Sequence, residues 1–140
     1  MFTDSITRLK RTIQSYALHN PHVKFSLRNG SSAPKNILLS TVRGNSSLDS
    51  FLKLTGNSDL SQYEIVNWKS DNQCCIYGII SHRQHNNDSL QYICVNGQPI
   101  CQHEILKDAN KAILTYLKDV VNVSIENHYA MFVLIFELSD

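Results

Sequence analysis

The run Cys101-Gln102-His103-Glu104 places a thiol, an imidazole and a carboxylate side by side. Such side chains could act as a thiolate nucleophile with its base, or as ligands for a metal ion. The spacing argues against both. Residues two apart at the start of a helix point in different directions, and no second ligand pair follows at zinc-site spacing. The plain reading is a helix N-terminus with Cys101 partly buried and His103 exposed; a small thiol or metal enzyme built on Cys101 and His103 is the alternative. Cys74 and Cys75 are adjacent on a strand, so they face opposite sides of a sheet and a bond between them would strain the backbone.

The remaining chemistry is sparse. There is no G-x-x-x-x-G-K-[ST], no G-x-G-x-x-G and no aspartate pair for Mg²⁺. The four cysteines (Cys74, Cys75, Cys94, Cys101) lack C-x-x-C spacing, and the N-terminus lacks the order of a secretion signal. Reduced thiols follow, with no metal site. Basic residues are scattered, but Lys107, Lys111 and Lys118 share one helix. His103, Lys107 and Lys111 recur at four-residue steps on one face, which makes them the candidate DNA-contacting residues. An ordinary solvated helix surface is the competing reading.

The elements that must carry these residues follow from periodicity and punctuation. Ile6, Leu9, Ile13, Tyr16 and Ala17 mark a first helix, with Thr3, Asp4 and Ser5 as N-cap choices and Asn20-Pro21 as its stop. Residues 22–30 alternate as a half-buried strand closing at Asn29-Gly30, and residues 36–42 read as a second, more buried strand. Ser46 and Asp49 predict a capped short helix ending at Gly56. Strands follow at 63–68 and 73–81, joined by a hairpin turn at Lys69-Ser70-Asp71-Asn72. Gly78, inside the second of these, suggests a bulge or a close backbone approach. Residues 82–89 lack periodicity and read as an exposed, mobile loop. Residues 90–95 form a strand entering Asn96-Gly97, read as a strand-to-helix connection. Ile105, Leu106, Ala109, Ala112, Ile113, Tyr116 and Leu117 form one wide apolar stripe on a long helix. Residues 129–139 are a continuous apolar strand, buried on both faces.

At 140 residues, 42% apolar and 18% charged, the chain has room for one domain with a real core. The predicted class is α/β (α+β): one domain over residues 1–140, a mixed β-sheet covered by helices. Its net charge of +1 gives no global pull toward nucleic acid or membrane. No apolar run approaches the ~20 residues that cross a bilayer.

Five collinear segments resemble the second domain of MutL-type mismatch-repair proteins. "RLKRTIQSYALHNPHVKFSLRNG" resembles the helix and strand that open that domain. "LLSTVRGNSSLDSFLKLTGN" resembles its strand, glycine turn and short helix, and "CIYGIIS" its glycine-containing strand. "QYICVNGQPI" resembles "q.ifVNgRpV", and "HYAMFVLIFELSD" resembles "yPvfvLfleLp". The matches span essentially all 140 residues in the family's order, and their loose motifs and polar loop look like a eukaryotic, divergent fungal homologue.

The resemblance implies a transducer domain with a ribosomal-protein-like fold, normally preceded by an ATPase domain of the gyrase/Hsp90/histidine-kinase/MutL type. It would couple ATP binding to dimer closure with another MutL homologue and contribute surface to duplex DNA. Asn96, Gly97 and Gln98 are the family's signature loop, with Gln98 where an arginine is usual. Glutamine keeps hydrogen-bonding capacity but loses the cationic fork. The chain ends before the family's "VNVHPxK" segment and shows neither ATPase motif "E.v.NsiDA" nor "DnG.G". The expectation is therefore a domain truncated before the C-terminal lysine loop, with no ATPase domain and no cofactor of its own; ATP and Mg²⁺ belong to the full-length family. No catalytic residue and no membrane contact are expected, and the location would be nuclear if eukaryotic, otherwise cytoplasmic. A stand-alone nucleic-acid-binding module of the same fold is the second reading.

Overall fold

The computed structural model describes residues 2–30 and 37–139. The chain divides into two compact units between Asn57 and Ser58. In the first, helix α1 (Phe2–His19) starts before the expected caps, so Thr3, Asp4 and Ser5 lie inside it. No glycine or proline interrupts the chain there, and a cap residue is also tolerated within a first turn. The Asn20 side chain closes the other end by donating Nδ2 to the Tyr16 carbonyl at 3.0 Å, just before Pro21. The expected strand over 22–30 shrinks to β1 (Ser26–Arg28), which pairs antiparallel with β2 (Ile37–Ser40). Buried Thr41 extends that ladder by proxy, its Oγ1 accepting the Phe25 N–H at 2.8 Å. Asn36 and Lys35, part of or beside the expected second strand, lie outside the described residues.

Helix α2 (Ser47–Thr55) is capped as its sequence predicts. Ser46 Oγ accepts the Asp49 N–H at 3.0 Å, while Asp49 Oδ2 accepts the Asn45 N–H at 2.8 Å. That backbone bond first, and Lys53 second, hold the Asp49 carboxyl below its ordinary range. Gly56 stops the helix at φ 75, and Phe51 is completely buried.

The second unit is a five-stranded mixed sheet in the order β3-β4-β7-β5-β6: β3 (Tyr63–Lys69), β4 (Cys75–His85), β5 (Gln91–Val95), β6 (Gln98–Ile100) and β7 (Tyr129–Glu137). β5 and β7 run parallel, and every other pair is antiparallel. β7 sits between β4 and β5, which is why it reads as an unbroken apolar run: Ala130, Met131, Phe132, Val133 and Ile135 are all buried. Gly78 is where β4 meets it most closely. A Cβ there would stand 2.0 Å from the Val133 carbonyl oxygen, so the glycine marks a close backbone approach.

Helix α3 (His103–Asp119) packs on one face of this sheet, placing Leu106, Ile113 and Leu117 in a cluster with Ile80, Ile93 and Phe132. The single wide stripe expected on α3 is in fact divided. Ile105, Ala112 and Tyr116 are exposed, because one flat sheet face covers only about a third of a helix's circumference.

Two further expectations fail. Residues 82–85 are not a mobile loop but the continuation of β4, after a register shift between Ile80 and Gln84. This extension is held by polar side chains, so it shows no apolar alternation. Gln84 Oε1 accepts the Glu126 N–H at 2.8 Å, and His82 Nε2 meets Glu64 Oε2 at 2.7 Å. Cys74 likewise precedes the strand rather than belonging to it. It closes the β3–β4 turn, its carbonyl accepting the Ser70 N–H at 2.8 Å.

Candidate functional site

Asn96-Gly97 is a two-residue hairpin turn and not a direct strand-to-helix connection. β6 returns antiparallel to β5 with Val95 opposite Gln98, and three residues of strand precede α3. Asn96 and Gly97 have φ of 48 and 81, the paired positive values of a type I′ turn, where Asn-Gly is favoured. Asn96 also fastens the end of β7. Its N–H donates to the Phe136 carbonyl at 2.9 Å, and its Oδ1 accepts the Leu138 N–H at 2.8 Å. The asparagine is thus explained by backbone geometry and two hydrogen bonds. Gln98 is exposed at the start of β6.

Beyond the hairpin, α3 begins without a side-chain cap, since Gln102 makes no capping bond. His103 and Lys107 line one wall of a shallow depression of about 310 Å³, and Asp88, His128 and Tyr129 line the rest of its rim. Leu106, Gln91 and Asn110 form its floor. Lys111 does not reach it, and neither do the hairpin residues. Each four-residue step turns about 40° around the helix axis, so the expected row of His103, Lys107 and Lys111 drifts off a straight line. All three are exposed.

The floor carries a polar clasp that sequence reasoning missed. Asn110 Oδ1 accepts from Gln91 Nε2 at 3.0 Å and from the Ala130 N–H at 2.7 Å. Its Nδ2 donates to the His128 carbonyl at 2.9 Å, and Gln91 Nε2 also reaches the Ala130 carbonyl at 3.0 Å. One amide therefore ties α3 to β5 and to the start of β7. The available signal was Asn110 itself, a polar residue four after Leu106 and three before Ile113 on the core-facing side.

Chemically, the depression offers one permanent cation, two imidazoles able to donate N–H bonds, one carboxylate and an aromatic edge. That set can contact an anionic group at its rim; it supplies no paired nucleophile and base. Cys101 follows β6 and His103 begins α3. Among the described residues no group of three or more His, Cys, Asp or Glu could hold a metal ion. None of the four cysteines is in a disulfide. The Cys74 thiol is lowered, chiefly by a backbone hydrogen bond from Ser139. On the other side of the sheet from α3, Tyr77 donates its hydroxyl to Glu137 Oε1 at 2.7 Å.

No family model and no curated protein matches the chain. Solved structures do. One described as the N-terminal domain of a DNA repair protein is similar over 99% of this chain at 26% identity, with a TM-score of 0.65. A variant of the Aquifex aeolicus MutL ATPase domain is similar over 91% at 20% identity, with a TM-score of 0.48. The chain spans 44% of the first structure and 40% of the second, less than half of either. No membrane-length apolar helix occurs among the described residues. The mixed α/β fold of this chain is therefore one also found within the N-terminal domain of a DNA repair protein.

Proposed function

We propose that this chain is the transducer domain of a MutL-like mismatch-repair protein. The observation that carries the reading is the similarity to a DNA repair protein's N-terminal domain along 99% of the chain at a TM-score of 0.65. The five collinear sequence segments support it independently of the fold. In this reading ATP and Mg²⁺ bind in a separate ATPase domain, and this chain relays that binding to closure with another MutL homologue. It catalyses nothing alone. A eukaryotic, fungal-type source and a nuclear location go with the same reading.

DNA contact falls to the rim of the depression, through His103 and Lys107, with Lys111 further around the helix. The type I′ hairpin presents Gln98 to solvent without the arginine that would add a cationic fork, so phosphate binding there is weak. Two measurements test the proposal. Incubation of the 140-residue chain with Mg-ATP is expected to show no hydrolysis, and turnover that stays with the folded domain through purification overturns it. Titration with duplex DNA is expected to give weak binding whose logarithm falls with the logarithm of salt concentration. A salt-independent affinity removes the DNA role and leaves the coupling role standing.

A further inference from the structure

Helix α3 carries a second apolar lane that the sheet does not cover. Ile105, Ala112, Tyr116 and the C-cap residue Val120 recur at steps of seven, four and four, the pattern of a helix-packing seam, while Ala109 beside them packs against the core. Ile105 is 46% exposed, Tyr116 40% and Val120 64%, and Ala112 is exposed too. At roughly 100° per residue this lane lies about a quarter-turn from the buried Leu106, Ile113 and Leu117. Ala112 lowers the surface between Ile105 and Tyr116, leaving room for a knob from a neighbouring helix.

The charge beside the lane selects what lies on it. Glu104, Asp108 and Asp119, all exposed, occupy the strip bordering the lane on its solvent side, and the lysines Lys107, Lys111 and Lys118 lie beyond them. Anything resting on the apolar lane meets carboxylates first. Duplex DNA is disfavoured there by like charge. A second copy is disfavoured as well, because antiparallel α3 helices would bring Glu104 and Asp108 toward Asp119 and Thr115 of the other copy. We propose that this lane docks an amphipathic helix of a partner protein, whose apolar stripe is flanked by lysine and arginine. Helix-in-groove recognition of this kind uses anchors at the same spacing. The surface is separate from the depression at His103 and Lys107 and does not depend on the transducer reading.

The test uses the isotope-labelled full chain and two synthetic helical peptides of about 18 residues, roughly five turns. Both carry Leu and Ala on a heptad stripe; one has Lys on its flanks and the other has Glu. The Lys peptide is expected to shift the amides of Ile105, Ala112, Tyr116 and Val120, and to bind about tenfold more tightly than the Glu peptide. Paired Asp108→Lys and Asp119→Lys substitutions are expected to reverse that order. Tyr116→Ser should remove binding while leaving amides elsewhere unshifted. The proposal is overturned by equal affinities, by shifts elsewhere, or by absence of binding to either peptide. It is also overturned if the chain dimerises through this lane, seen as self-association abolished by Tyr116→Ser, or if duplex DNA shifts these same amides.

Discussion

Three residues in the sheet unit have roles that substitution can isolate. Asn96 combines a positive φ of 48 with a bond from the Leu138 N–H. Asn96→Ala loses both and is expected to cost about 2 kcal/mol, while Asn96→Gly loses only the bond and costs about 1 kcal/mol. Urea unfolding of the two variants reads the difference, and equal losses would show that the turn conformation is indifferent to residue type. Gly78→Ala drives a methyl to within 2.0 Å of the Val133 oxygen in the middle of the sheet. A loss of at least about 3 kcal/mol is expected, because backbone there cannot move aside as a flexible side chain could. Tyr77 supplies a pH signature. Burial first, and the bond to Glu137 second, push its hydroxyl up to about 12. A folded-state pKa above the unfolded value of about 10 means the contribution is complete below pH ~10 and disappears as pH rises toward ~12. Tyr77→Phe should flatten that part of the stability profile relative to the parent; superimposable losses in both would remove Tyr77 as the cause.

Among the elements, α3 is held by the buried Leu106, Ile113 and Leu117 and also by one amide. Asn110→Ala strands the Ala130 N–H and the His128 carbonyl and takes one bond from the Gln91 amide, and is expected to cost about 2–4 kcal/mol. Amide exchange at Ala130 is the local readout, and it should accelerate together with global destabilisation. If Ala130 stays protected, the clasp is not what joins α3 to β7. The elements also show where periodicity is informative and where it misleads. The α2 caps were legible because Ser46, Asp49 and Gly56 act within a few residues of one another. The extension of β4 was not, since Gln84 finds its partners at Glu126 and Asn127. The short β6 was hidden for another reason: three residues before a helix carry no alternation to detect, so Asn-Gly reads as leading straight into the helix.

For the molecule as a whole, a net charge of +1 makes any DNA affinity a local property, which the proposed function assigns to α3. Joint Lys107→Gln and Lys111→Gln substitution is expected to weaken duplex binding uniformly across sequences and to reduce the salt slope by about 2. An unchanged slope would move the contact elsewhere. The mixed α/β class, the order of its main elements, the buried final strand and the special status of Gly78 were all readable in residue order. Each depends on local sterics or on a periodicity that burial imposes on neighbouring residues. The candidate residues His103, Lys107 and Lys111 could be named from their spacing, yet only two of them reach the depression. Tertiary structure alone decided that, along with the Gln91–Asn110 clasp and the division of the α3 stripe into a buried lane and an exposed one. The physical reason is common to all three. Which part of an apolar helix is covered, and which polar groups meet across it, depends on the width and register of the sheet beneath, and those are set by residues far away in the chain.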